Sequence, residues 1–214
     1  EGAKLAFIGR PNNPTGNGPT LTVLKKLSEL VKLVVVDEAY AEFSTSSAIS
    51  LIRRSPNIVV LRTFSKAFGL AGLRIGYAVG PTDIIKVLEE IRAPFNVNRL
   101  AQTAAEAALS DLRYMRQVVK KIVVQREWLR KELLRLRLRV LPSEANFLMV
   151  DLTPWKITAP ELCQLLARRN IYIRELSGFP GAGENYARIT VGTPNQNRKL
   201  VKELREIGEK YGYS

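Results

Sequence analysis

Leu61-Arg-Thr-Phe-Ser-Lys-Ala-Phe-Gly-Leu-Ala-Gly-Leu-Arg74 continues a β-branched run at 57–62 and ends on an arginine behind two glycines. A continuous apolar run of this kind reads as a strand buried on both faces. The polar residues Thr63, Ser65 and Lys66 come immediately after it. Moving toward the N-terminus, 33–36 is a second β-branched run, and Asp37-Glu-Ala-Tyr40 follows it. Further back, a short apolar run at 4–9 stops at Pro11-Asn-Asn-Pro-Thr-Gly16, a dense turn signal. Between the first two runs, Leu21, Leu24, Leu27, Leu30 and Val31 repeat with a helical period. Residues 74–79 read as another strand and 83–91 as a helix. Strand, helix, strand, loop, strand, strand implies an α/β fold, a mostly parallel sheet with flanking helices.

The second half has a different texture. Residues 99–109 are alanine-rich and helical. Residues 112–137 read as one long helix, with Val119, Ile122, Val123, Leu129, Leu133, Leu134 and Leu136 as its apolar stripe. Pro142 closes that run. Strands are expected at 146–152, 171–174 and 186–191, and helices at 159–169 and 195–211. The chain therefore reads as a first unit over 1–112, a long linking helix at 113–138 and a smaller α+β domain over 139–214.

The chain has 214 residues and contains no histidine, which removes Ser-His-Asp and Cys-His nucleophile systems. Without histidine and with one cysteine, Cys163, no metal site is expected and no internal disulfide can form. Cys163 sits in a helical pattern and reads as a small buried side chain. Net charge is +13, and ten Lys or Arg fall between Arg113 and Arg139 against Glu127 and Glu132. No nucleic-acid-binding motif accompanies that excess, so it reads as a solvated helix face or as the balance of a chain whose acidic portion lies elsewhere. No apolar run approaches the length of a membrane span.

The residues at the strand ends suggest one chemistry. A lysine can join an aldehyde as a Schiff base. A carboxylate can hold a pyridine nitrogen protonated, and an arginine can grip a phosphate. One cofactor asks for all three groups: pyridoxal 5′-phosphate (PLP). Alone, a strand-end aspartate such as Asp37 more often caps the next turn or pairs with a lysine. A buried carboxylate there is costly unless it is paired. Alone, Lys66 is a surface lysine and Arg74 an ordinary ion-pair partner. The order Asn13, Asp37, Tyr40, Lys66, Arg74 changes that balance. Gly69 and Gly72 are expected to allow close approach of the backbone or positive φ.

With those residues in hand, the chain resembles the fold type I PLP-dependent aminotransferases, and within them the histidinol-phosphate branch. The matching segments are Pro11–Gly16, Val36-Asp-Glu-Ala-Tyr40 and Arg62 through Tyr77. Pro94-Phe-Asn-Val-Asn98, Glu144-Ala-Asn-Phe-Leu148 and Ala187-Arg-Ile-Thr-Val-Gly-Thr193 also match. The resemblance implies that the Schiff-base lysine is Lys66 and that Asp37 partners the pyridine nitrogen. It puts Asn13 and Tyr40 at the ring oxygen, and Thr63, Ser65 and Arg74 in the phosphate cup. Asn13, Asn146, Arg174 and Arg188 fall on substrate-binding positions. The two arginines fall where that branch meets the substrate phosphate.

The activity so implied is amino-group exchange between L-histidinol phosphate and 2-oxoglutarate, with glutamate as its aminated form. The setting so implied is histidine biosynthesis in the cytoplasm, by a homodimer without membrane or nucleic-acid partners. Rivals are threonine-phosphate decarboxylase, another class I or II aminotransferase, and an inactive domain with a binding role. Two departures stand out. The family carries a further portion ahead of the segment matching 4–9, so the chain reads as its C-terminal part and is expected to be a poor enzyme alone. Arg10 stands where the family usually has a small or neutral residue.

Overall fold

Three short apolar runs form parallel neighbours because a helical crossover links the first two. In the computed structural model, which describes residues 2–212, β1 (Leu5–Gly9), β2 (Leu33–Asp37) and β3 (Ile58–Thr63) pair in parallel. The fourth strand, β4 (Gly76–Val79), joins β3 antiparallel, and the order is β1-β2-β3-β4. The crossover helix α1 (Leu21–Leu30) starts where the Thr20 hydroxyl accepts from the Val23 N–H. Its Leu24 packs with Val34, Val36, Ala48, Ile58 and Val60 in one apolar cluster.

Strand periodicity sorts the remaining side chains. Val34 and Val36 face that cluster, while Leu33 and Val35 on the other parity are half-buried. Burial on both faces holds for β3, where Ile58, Val59 and Val60 are all enclosed. It holds only in part for β2, where Leu33 and Val35 are half-buried, and β1, for which it is not expected, leaves Phe7 72% exposed. The expected strand at 74–79 begins only at Gly76, because Arg74 takes a left-handed φ of 53°. Gly76 lies so close to β3 that a Cβ there would stand 2.5 Å from the Arg62 carbonyl oxygen.

The helices α2 (Thr82–Ile91), α3 (Arg99–Ser110) and α4 (Leu112–Arg135) follow. The chain divides into two compact units, and the boundary falls inside α4, between Val119 and Lys120. The second unit also takes in Pro14–Gly16. The expected helix at 112–137 stops at Arg135. Arg137 adopts φ 60°, its N–H donates to the Leu134 carbonyl, and the Leu138 N–H donates to that of Leu133. This pair of bonds is a Schellman cap, built here with an arginine at the position glycine usually fills.

The second unit carries an antiparallel sheet, β5 (Arg139–Val140), β6 (Phe147–Asp151), β8 (Tyr186–Thr190) and β7 (Arg174–Glu175), in that spatial order. Of the strand expected at 171–174 only Arg174 is in β7, which is shifted to Arg174–Glu175. Helices α5 (Ala159–Ala167) and α6 (Pro194–Tyr211) each begin with a capping box, on Thr158 with Glu161 and on Thr193 with Gln196. Leu133, Leu148, Val150, Leu162, Leu166, Ile189 and Leu204 are among the residues of its core. Trp155 is buried there and donates its indole N–H to the Leu136 carbonyl at 3.0 Å. Cys163 is only half-buried, its thiol 3.6 Å from the Ile173 carbonyl, and burial pushes its pKa up.

Candidate functional site

The parallel strands of the first unit all end at one edge of their sheet, and antiparallel β4 begins there. Register pairs Gly9 with Asp37 and Asp37 with Leu61, while Thr63 pairs with Gly76. Three strand ends therefore deliver Asn13, Asp37 with Tyr40, and Thr63 with Ser65 and Lys66 to this edge. Arg74 enters from β4. In α/β sheets, ligands bind beyond the carboxyl ends of the strands.

Local bonds shape each loop. The Asn12 N–H donates to the Asn17 carbonyl at 2.6 Å and closes the turn that carries Asn13. Asp37 is exposed, and its Oδ1 accepts from the Ala39 N–H at 3.0 Å. Tyr40 is buried, and the exposed Lys66 ammonium sits 5.2 Å from the centroid of its ring, within range of a cation–π contact. The Thr63 hydroxyl accepts from the Ser65 N–H at 3.0 Å. The Arg74 guanidinium donates to the Ala71 carbonyl at 2.8 Å and lies 3.5 Å from the Ser65 hydroxyl. A guanidinium beside a hydroxyl, with an ammonium and a carboxylate on adjacent strand ends, is the donor set that PLP requires. Gly69 has the expected positive φ of 73°. Gly72 has neither a positive φ nor a neighbour within 4 Å, so neither reason expected for it applies.

The remaining candidates lie in the second unit. Arg174 of β7 is directly opposite Arg188 of β8. Arg188 also pairs with Met149 and stacks its guanidinium 5.3 Å from the centroid of the Phe147 ring. Asn146 precedes β6, and its carbonyl accepts from the Val191 N–H at 2.9 Å. The loop before it is held by the Ser143 hydroxyl, which donates to the Phe147 carbonyl at 2.7 Å and accepts from the Ala145 N–H. Buried Arg126 donates to the Ala145 carbonyl at 2.9 Å.

A row of buried charge escaped the sequence reading. Glu38, not Asp37, is the buried carboxylate of this edge, fully enclosed. Arg62 meets its Oε2 at 2.9 Å and Arg10 approaches its Oε1 at 3.5 Å. The Ala48 N–H and the Ser47 hydroxyl donate to it at 2.6 and 2.7 Å. Strand periodicity held the signal. Ile8, Val34, Val36, Ile58 and Val60 belong to the apolar cluster, and Arg10, Glu38 and Arg62 continue the same parity. Arg62 also pairs with Glu42 at 3.0 Å. Burial raises the pKa of Glu42, against the opposing pull of its hydrogen bonds and the Arg62 charge.

Among the described residues no cluster of His, Cys, Asp and Glu could hold a metal, and no helix is long and apolar enough to cross a membrane.

The aminotransferase class I and II family model matches residues 1–204, and the chain belongs to that family. Histidinol-phosphate aminotransferase 1 of Carboxydothermus hydrogenoformans is 44% identical over 203 residues, covering 95% of this chain and 56% of that relative. The chain thus spans little more than half that relative's length. The crystal structure of the histidinol-phosphate aminotransferase from Clostridium acetobutylicum superposes with a TM-score of 0.89 at 27% identity, covering 97% of this chain and 64% of that one. The Sinorhizobium meliloti enzyme of the same name, determined in complex with pyridoxal-5′-phosphate, superposes with a TM-score of 0.80 at 29% identity, covering 96% and 58%. These neighbours are fold type I PLP aminotransferases, the architecture that the family resemblance implied.

Proposed function

We infer that this chain carries the cofactor lysine and the substrate arginines of a PLP-dependent aminotransferase acting on L-histidinol phosphate, with 2-oxoglutarate as amino acceptor. The observation that carries the substrate assignment is the cross-strand pair Arg174 and Arg188. Like charges directly opposite in an antiparallel sheet repel. A dianionic phosphate shared by two guanidinium forks turns that repulsion into charge-assisted bonding. The cofactor assignment rests on the sheet edge: a lysine, a carboxylate, a hydroxyl and an arginine at neighbouring strand ends.

PLP, when bound, supplies an aldehyde that links to amines and a ring that draws electron density from the substrate Cα. This chain contributes the following groups. Lys66 holds the cofactor between turnovers, then takes the proton from Cα and returns it. Asp37 keeps a proton on the pyridine nitrogen. Asn13 and Tyr40 hydrogen-bond the ring oxygen, and Ser65, Thr63 and Arg74 hold the phosphate. Asn146 orients the substrate, and Arg174 and Arg188 select its phosphate. A setting in histidine biosynthesis, supported by the names of the relatives, completes the reading; homodimeric assembly and a cytoplasmic location rest on the family resemblance alone.

The test is a substrate panel with PLP present. Glutamate-forming transamination should run from histidinol phosphate in preference to aromatic amino acids or aspartate. Loss of carbon dioxide from threonine phosphate, without transamination, would replace this reading with the decarboxylase.

A further inference from the structure

The row Arg10–Glu38–Arg62, buried at Arg10 and Glu38 and half-buried at Arg62, lies one residue beyond the last positions that β1, β2 and β3 pair in parallel. Gly9 pairs with Asp37 and Asp37 with Leu61, so the next residues in register are Arg10, Glu38 and Arg62. Each sits at the root of a loop bearing candidate cofactor groups: Asn13 after Arg10, Asp37 and Tyr40 flanking Glu38, and Thr63 through Lys66 after Arg62. We propose that this row is a positioning clamp for the cofactor edge: Glu38, gripped by two guanidinium groups, locks the three strand-end loops into one register with each other. The proposal rests on the reading that PLP binds at this edge.

Arg10 is the member that makes the clamp more than an ion pair. Its Nε donates to the Pro19 carbonyl at 2.9 Å, its Nη1 to the Ser46 carbonyl at 2.9 Å, and its Nη2 to the Ser46 hydroxyl at 2.6 Å. Its own N–H donates to the Asp37 carbonyl at 2.8 Å. One side chain thus closes the 10–19 loop that contains Asn13 and ties it to the segment after β2. Gly18 leaves room for it, since a Cβ there would stand 3.0 Å from Arg10 Cγ. A planar guanidinium can serve these separate acceptors at once, whereas an ammonium is a single point of charge. Arg62 completes the link to β3, with an Nη2 that reaches both Glu38 and the Ser47 hydroxyl.

Buried ion pairs cost desolvation, and a well-packed apolar core often replaces them without loss of stability. A charged row here gains its use from geometry: polar contacts fix register in a way that interchangeable apolar contacts do not. The enclosed Glu38 has four partners around its two oxygens, so it is the satisfied centre of the network, while Arg62 Nε and Glu42 Oε2 beside it are buried without a hydrogen-bond partner.

The test compares the parent chain with Arg10→Met, Glu38→Gln and a control, Ile207→Val, in the core of the second unit. Hydrogen exchange on the cofactor-free chains reads the loops directly. Titration with PLP, at a temperature where every chain is folded, reads the edge they form. We expect Arg10→Met and Glu38→Gln to speed exchange together at 10–17, 37–48 and 62–66 and to weaken PLP binding about tenfold, the scale of one lost charge-assisted hydrogen bond. The control should lose melting temperature without either effect. Arg10→Lys should not rescue, because one ammonium cannot span Pro19, Ser46 and Glu38. Unchanged exchange in both clamp variants, or faster exchange confined to 44–50, would overturn the proposal. A parent chain that takes up no PLP would sink the functional reading instead, and the exchange data would still decide the clamp.

Discussion

Replacing Gly16 with alanine tests how the second unit holds the loop that leads to Asn146. Gly16 has φ 78°, and a Cβ there would lie 2.2 Å from the Ser143 hydroxyl, 2.6 Å from Ser143 Cβ and 3.1 Å from its Cα. The last distance involves backbone, so turning the serine side chain does not clear the overlap. Two costs follow. A left-handed backbone costs a Cβ-bearing residue about 1–2 kcal/mol, and overfilling a packed site costs about 1–3 kcal/mol. Gly16→Ala should therefore destabilise the second unit by about 2–5 kcal/mol. Both tryptophans, Trp128 and Trp155, belong to this unit, so urea unfolding followed by their fluorescence reports on it. Ser143→Gly removes the obstructing side chain but also the hydroxyl that bonds Phe147 and Ala145. The double variant should then be more stable than the sum of the singles implies, by about 1–3 kcal/mol. A single-variant loss under about 0.5 kcal/mol, the ordinary scatter of a surface change, would refute the packing argument. So would strictly additive singles.

Three more perturbations bear on the chemistry and the charge. Asp37→Asn should keep its turn, since an amide oxygen still accepts from the Ala39 N–H, yet lower kcat by at least about a hundredfold; near-parent turnover would remove Asp37 from the pyridine nitrogen. Arg174→Ala should raise KM for histidinol phosphate about tenfold more than for unphosphorylated histidinol, as expected for a lost charge-assisted fork; equal effects would indicate a carboxylate site. Burial lifts Glu42 above 4.5, so the folded chain binds that proton more tightly than the unfolded one does. Its contribution to stability is then complete below pH 4.5 and fades as pH rises through the raised value. Glu42→Gln should flatten this fall in urea midpoints, and an unchanged slope would show that Glu42 is not its source.

Much of the candidate edge could be read from the chain because parallel strands end in loops whose polar residues have few structural reasons to be there. Thr63, Lys66 and Arg74 stood out against the β-branched runs for that reason, and register then brought their strand ends to one side. The helix stop near Arg137 was not legible, since its left-handed cap uses arginine where glycine would have signalled an end. Arg74 hid the start of β4 in the same way. Glu38 was not legible by composition, since it and Asp37 are adjacent carboxylates at the end of one β-branched run. Only the alternation Val34, Val36, Glu38 shows which of two adjacent carboxylates turns inward. The facing of Arg174 and Arg188 depends on the β7–β8 register, which no local pattern in either two- or five-residue strand specifies.

The central claim is that Lys66 joins the cofactor. The chain is incubated with excess PLP, reduced with borohydride to fix any lysine–cofactor link, digested, and mapped by mass. The account predicts a pyridoxyl mass on the peptide carrying Lys66 and its disappearance in Lys66→Ala. Label spread over other lysines, or retained in full by Lys66→Ala, would contradict it.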